Sequence, residues 1–191
     1  MTKLTERFVE AVRYAAEVHR DQPRKGTDIP YISHLLAVVS FVLDDDGDED
    51  AAIAALLHDA AEDQGGRARL EDIRKRFGDK VAHIVEGCTD SWTTPKEDWI
   101  VRKERYVEHA KTLDRATLRV SAADKVHNAY AILRDLRTIG DAVWARFKHA
   151  KADDILWYYG ALVRSFRDAG GGPLVDELER VVRGINREIG Y

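Results

Sequence analysis

Cysteine, proline, long apolar runs and, over one stretch, basic residues are what this chain has little of. Its 191 residues contain a single cysteine, Cys88. That rules out an intrachain disulfide and any zinc site built from several thiolates, and leaves Cys88 to serve as a small interior residue. Four prolines and 13 glycines are too few for a collagen-like or low-complexity chain. The longest charge-free stretch, Ile29 to Leu43, falls short of the ~18 apolar residues that a spanning helix needs. The beginning, Thr2-Lys3 and then a charged segment, has no secretory apolar core, so a cytoplasmic protein with no membrane partner is expected. The net charge of −4 argues against a general nucleic-acid partner, although a small anion needs only a local positive wall.

What is present is helical patterning. Hydrophobic residues make up 45% and charged residues 34% of the chain, and apolar positions recur at helical rather than alternating spacing. An all-α, single-domain helical bundle over residues 1–191 is predicted, with its core at about 5–168. Leu4, Phe8, Val12 and Ala15 or Ala16 mark a first helix ending near Arg20. The breaker-rich loop Asp21 to Pro30 follows, then a strongly apolar helix over 31–43. The acidic run Asp44 to Asp50 around Gly47 reads as a solvated turn. Further helices are expected at 69–77 (closed by Gly78), 79–88, 99–112, 118–136 and 141–168, with Thr89 to Asp98 as a loop. Gly170-Gly171-Gly172-Pro173 separates a last helix at 174–188. Chain length and pattern leave monomer and homo-oligomer equally open.

The most informative segment is His58-Asp59-Ala60-Ala61-Glu62-Asp63. It follows the apolar run Ala51 to Leu57. On one continuous helix with His58 at zero, Glu62 falls at about 40°, Asp59 at about 100° and Asp63 at about 140°. All four then share a face floored by Ala51 and Ala55, with Ile53, Leu57 and Ala60 opposite. Between residues 50 and 66 there is no basic residue other than His58, and uncompensated carboxylates repel one another. A divalent metal answers that demand; a solvated acidic face is the plainer alternative. A metal held by one helix face needs ligands from elsewhere. His34 interrupts the most apolar helix, where a histidine is more often a satisfied core residue. Asp124 lies in Ser121-Ala122-Ala123-Asp124-Lys125-Val126-His127-Asn128, where a buried carboxylate requires a partner.

His34, the pair His58-Asp59 and the distant Asp124 resemble the H…HD…D signature of the HD phosphohydrolase superfamily. The neighbouring residues are Arg24-Lys25, Pro30-Tyr31-Ile32-Ser33-His34, Leu56-Leu57-His58-Asp59-Ala60-Ala61-Glu62-Asp63, Phe77-Gly78 and Ala123-Asp124-Lys125-Val126-His127-Asn128. Together they resemble the hydrolase domain of the RelA/SpoT stringent-response enzymes over about residues 5–165, in the form of a stand-alone small alarmone hydrolase. The resemblance implies Mn²⁺ bound by His34, His58, Asp59 and Asp124, with Glu62 and Asp63 as the catalytic pair. It implies hydrolysis of the 3′-pyrophosphate of ppGpp or pppGpp with release of pyrophosphate. It places Arg24 on the base, Lys25 on the nucleotide and Asn128 near the ribose; Tyr31 shapes the pocket.

Arg102 and Lys103 resemble a phosphate-binding segment of small members, and Lys151 is a weaker candidate of the same kind. By composition alone, each of these cations is as readily a surface charge. Two places depart from the pattern: Gly26 stands where long members often have Ser, and after Asn128 and Ala129, Tyr130 and Ala131 stand where Arg and Thr are common. Lost hydroxyls there are expected to relax purine choice, so ppApp, NADPH and other nucleotides stay open as substrates. A non-catalytic nucleotide sensor is the rival of another class. His19, His83, His109, His127 and His149 read as structural or surface residues.

Overall fold

A computed structural model describes residues 2–93 and 95–190. Its described residues form α-helices and one 3₁₀ segment, with no strand. The helices are α1 (Glu6–Val18), α2 (Ile32–Asp44), α3 (Glu49–Leu57), α4 (Ala60–Asp63), α5 (Gly66–Phe77), α6 (Asp79–Cys88), α7 (Trp99–Ala110) and α8 (Arg115–Ile139). A 3₁₀ segment (Gly140–Arg146), α9 (Ala152–Asp168) and α10 (Pro173–Glu188) complete the chain. None of these helices is long and apolar enough to cross a membrane.

Helix α3 is the hub. It packs against α1, α2, α6 and α8, and every residue from Ala51 to Leu57 is buried. The expectation of one apolar face opposite an alanine-floored polar face is therefore corrected, since α3 is apolar all round because it is enclosed all round. The Asp48 side chain caps its start by accepting from the Ala51 N–H at 2.9 Å. The continuous helix expected through Asp63 does not exist either. It breaks at His58 and Asp59, and α4 starts afresh at Ala60. The His58 imidazole hydrogen-bonds the Ala55 carbonyl at 2.8 Å, and that carbonyl is the one a continuing helix would offer to the Asp59 N–H.

Two further boundaries differ. Leu4 lies outside α1 and is exposed, and the buried stripe is Ala11, Tyr14 and Ala15. The long helix expected over 141–168 is a 3₁₀ turn to Arg146, a short irregular stretch, and then α9 from Ala152. No Pro or Gly marks that interruption; Asp154 makes it by accepting from the Lys151 N–H at 2.8 Å, which restarts the helix. Thr89 to Asp98 is a loop as expected, with Thr94 outside the described residues. Cys88 is half-buried, and burial pushes its thiol pKa up, so it is a poor nucleophile.

The loop between α1 and α2 is pinned rather than loose. A lone bridge pairs Pro23 with Pro30, the Arg24 N–H donates to Ile29 O at 2.7 Å, and the Tyr31 N–H donates to Gln22 O at 2.8 Å. This hairpin projects Arg24 and Lys25 over the cavity between α2, α8 and α9.

Candidate active site

The break after Leu57 decides the geometry of the site. His58 and Asp59, at the break, face His34 from α2 and Asp124 from the middle of α8. Ligand atoms of His34, His58 and Asp59 all lie within 4.8 Å of one another. Asp124 completes the group: its Oδ1 is 3.2 Å from His34 Nε2 and 3.6 Å from His58 Nε2. Asp59 Oδ2 is 3.0 Å from His58 Nε2 and 3.7 Å from His34 Nε2. Both imidazoles are buried, and neither Nε2 makes a hydrogen bond.

Each of these side chains is oriented by a second contact, which frees its other atoms. His58 Nδ1–H donates to Ala55 O, which turns Nε2 toward the carboxylates. His34 Nδ1 is 2.7 Å from His127 Nδ1. Burial, His34 and Arg24 lower the His127 pKa to about 4. At neutral pH His127 is therefore uncharged, and its Nδ1 can accept from His34 Nδ1–H, an arrangement that turns His34 Nε2 toward the carboxylates. The Tyr31 hydroxyl donates to Asp59, and the Asn128 amide and the Lys125 ammonium donate to Asp124. Burial alone would lower the His58 pKa, but Asp59 and Asp124 outweigh it and hold it well above the ordinary value. The two carboxylates thus focus negative charge on two buried Nε2 atoms, a position that a proton or a metal cation can satisfy. Two imidazoles and two carboxylates with orphaned Nε2 atoms fit a first-row divalent cation.

Glu62 and Asp63 sit one turn further on. The counter-charge missing from their own segment comes from the loop before α7. Lys96 Nζ donates to Glu62 Oε1 at 2.6 Å and to Asp63 Oδ1 at 3.2 Å. Glu62 also accepts from the Asp90 N–H at 3.0 Å, and Asp63 accepts from Gln22 at 2.9 Å. Burial and the Asp90 charge raise the Glu62 pKa, with Lys96 opposing. Helical spacing could not reveal Lys96, which is 34 residues from Glu62.

A cavity of about 660 Å³ opens beside these groups. Arg24, Lys25, Tyr31, Asn128, Lys103, Asp63, Lys125 and Ala131 all contribute to its lining. Arg24 donates to Asn128 Oδ1 at 2.7 Å and lies 5.6 Å from the Tyr31 ring centre. The Lys25 pKa is lowered by burial first, then by Lys103, Lys148, Arg102 and Lys96. A chain of net negative charge therefore gathers a positive wall here, where an anion offsets the mutual repulsion.

Two expected cations do not reach the cavity. Arg102 is turned into an ion pair with Asp90 at 2.6 Å and donates to Glu97 O, while its neighbour Lys103 both pairs with Asp90 and lines the cavity. Lys151 is exposed at the start of α9. Two of the histidines expected to be structural or surface lie against the site in supporting positions. His127 supports His34. His19 is buried, stacks on Tyr31 with ring centres 5.1 Å apart, and has an unpartnered Nε2. Position 127, on the same helix as Asp124 and next to Asn128, was the available signal for the first; the second had none.

The chain matches the HD domain family over residues 11–155. It is 39% identical over 141 residues to the guanosine-3′,5′-bis(diphosphate) 3′-pyrophosphohydrolase MESH1 of Xenopus tropicalis, which covers 72% of this chain and 74% of that protein. Among solved structures it superposes on a metazoan SpoT ortholog described as hydrolysing ppGpp. The TM-score is 0.78 at 28% identity, covering 100% of this chain and 99% of the other. It also superposes on a Listeria monocytogenes EGD-e protein, with a TM-score of 0.70 at 30% identity, covering 81% and 99%. An all-α bundle carrying His34, His58-Asp59 and Asp124 around one point is an HD domain. Within that class the chain belongs to the family of the MESH1-type hydrolases.

Proposed function

We propose that this chain is a metal-dependent 3′-pyrophosphohydrolase of guanosine alarmones, ppGpp and pppGpp, acting in the cytoplasm, with Mn²⁺ as its ion. The observation that carries the reading is the pair of buried, unpartnered Nε2 atoms of His34 and His58 facing Asp59 and Asp124 beside a cationic cavity. Mixed imidazole and carboxylate donors suit manganese. When bound, a divalent ion offsets phosphate charge and lowers the pKa of water at the site.

The remaining work falls to the chain's own side chains. Glu62, whose raised pKa brings it closer to neutral pH, accepts the proton of the attacking water. Asp63 shares Lys96 with it and keeps that carboxylate oriented. The water oxygen bonds to the phosphorus attached to the 3′ oxygen. The P–O3′ bond breaks, pyrophosphate leaves, and the 3′ oxygen takes up a proton. Lys25, Lys103 and Lys125 line the cavity, where their charge is not spent on bulk water. Arg24 offers its planar guanidinium to the base, and Asn128 is held against Asp124 where a ribose hydroxyl can reach it.

The test is a panel of ppGpp, pppGpp, ppApp and NADPH incubated with metal-stripped protein, with and without added Mn²⁺, and resolved by chromatography. Metal-dependent release of pyrophosphate from ppGpp is expected. Absence of release from every guanosine substrate overturns the reading.

A further inference from the structure

The far end of the cavity contains a carboxylate that the proposed reaction does not use. Taking Asp124 as zero on α8, Asn128 lies at about 40°, Ala131 at about −20° and Asp135 at about 20°, so all of them share one face of the helix. Asp135 is about 16 Å further along the axis than Asp124, the reach of a nucleoside carrying a phosphate chain. It is 8% exposed and lines the cavity.

Its partners come from outside the segments that carry the family resemblance. Asp135 Oδ1 accepts from Arg134 Nε at 3.1 Å, and Oδ2 accepts from Arg146 at the end of the 3₁₀ turn. Arg146 reaches Asp135 by crossing Gly26. A Cβ at position 26 would lie 2.8 Å from Arg146 Cγ and 3.1 Å from Cδ, and Gly26 holds φ +72°. The space of the missing side chain at 26 is filled by the stem of an arginine from 120 residues away. Next to it, the Phe147 ring lies 5.3 Å from Lys25 Nζ, and both residues line the same cavity. A surface ion pair needs none of this convergence.

We propose that Asp135, positioned by Arg146, reads the edge of the base and selects guanine over adenine; the proposal rests on the nucleotide reading above. A carboxylate has about four lone-pair sites, and its two arginines occupy one on each oxygen. The two that remain match the adjacent N1–H and N2–H donors of guanine, while the free donors of Arg146 match O6 and N7. Adenine offers one donor group beside the bare N1 lone pair, which a carboxylate repels, leaving the site's polar groups unpaired. The substitutions at Gly26 and Ala131 therefore do not abolish base readout. They move it to another pair of residues.

The experiment measures equilibrium binding of GDP and ADP, which requires no turnover, beside kcat/KM for ppGpp and ppApp. Wild type should prefer the guanine partner by about 10- to 100-fold in both measurements. Asp135→Asn puts an amide donor against the N1–H and N2–H edge, and the preference should fall to within about threefold. Arg146→Lys keeps the charge but loses the fork, and should fall between the two. Thermal unfolding reports whether each variant folds; if Asp135→Asn does not, Arg146→Gln carries the same expectation. Equal binding of GDP and ADP by wild type, or a preference retained in a folded Asp135→Asn or Arg146→Gln variant, overturns the proposal. A guanine preference that depends on Asp135 without any release of pyrophosphate would instead sink the hydrolase reading and leave the base subsite standing.

Discussion

The two ends of the cavity are built on different terms. At the acidic end, His34, His58, Asp59 and Asp124 are seated on or beside packed helices, and every one is held by a contact that fixes its orientation. At the far end, Asp135 depends on an arginine from a 3₁₀ turn and on a glycine in a hairpin. One end is preorganised by the core, the other by ion pairs with Arg134 and with Arg146 from the 3₁₀ turn. Chemistry that tolerates little displacement is expected at the first, and adjustable recognition at the second.

The largest effect that would test this contrast comes from Asp124. Asp124→Asn preserves shape but removes the charge of a proposed ligand, and should abolish metal retention in elemental analysis together with turnover. Asp124→Ala should also lose stability, because it leaves the Lys125 ammonium buried without its partner; about 3–5 kcal/mol is the usual cost, measurable by denaturant unfolding. A variant that keeps its metal would show that the acidic end is not built as described.

Glu62→Gln comes next. It retains packing and the Asp90 N–H contact but cannot take a proton, so turnover should fall by ~10²–10⁴ with nucleotide binding kept. Single-turnover assays beside calorimetric titration separate the two.

Lys96→Ala probes the borrowed counter-charge. Lys96 lowers the Glu62 pKa against burial and Asp90, so removing it raises that pKa. In the proposed base role the acting form is the carboxylate, and the acid limb of the pH–rate profile should therefore move to higher pH. A limb that stays in place or moves down would remove Glu62 from the base role.

At the far end, Gly26→Ser should cost about 1–2 kcal/mol for the positive φ alone, and it displaces Arg146 as well. The unfolding midpoint should drop, and the guanine preference should weaken with it.

The smallest effect lies away from the cavity. Asp114 caps α8 through the N–H groups of Ala116 and Thr117, so Asp114→Ala should lose about 1 kcal/mol with kcat unchanged. Despite burial, its contacts with Thr117 and His83 bring its pKa to about 2. Its contribution is therefore present above the unfolded carboxylate value near ~3.9 and disappears as the pH falls through about 2.

What could be read from the amino-acid order alone was whatever acts locally or repeats at helical spacing. The all-α class, the turns at Gly78 and at Gly170 to Pro173, and the grouping of His58, Asp59, Glu62 and Asp63 all follow from neighbours in the chain. His34 and Asp124 were legible as polar residues in apolar helices, since burial forces such groups to find partners. Three features were decided only when the chain closed on itself. The His58 imidazole took the Ala55 carbonyl, and the helix breaks there before Ala60. Lys96 crossed from a loop to neutralise Glu62 and Asp63. Arg146 filled the space left by Gly26 to hold Asp135. The first is local, three residues apart, and depends on the burial of His58; the other two cross turns that packing creates, and no periodicity encodes pairings 34 or 120 positions apart when the intervening loops set the geometry.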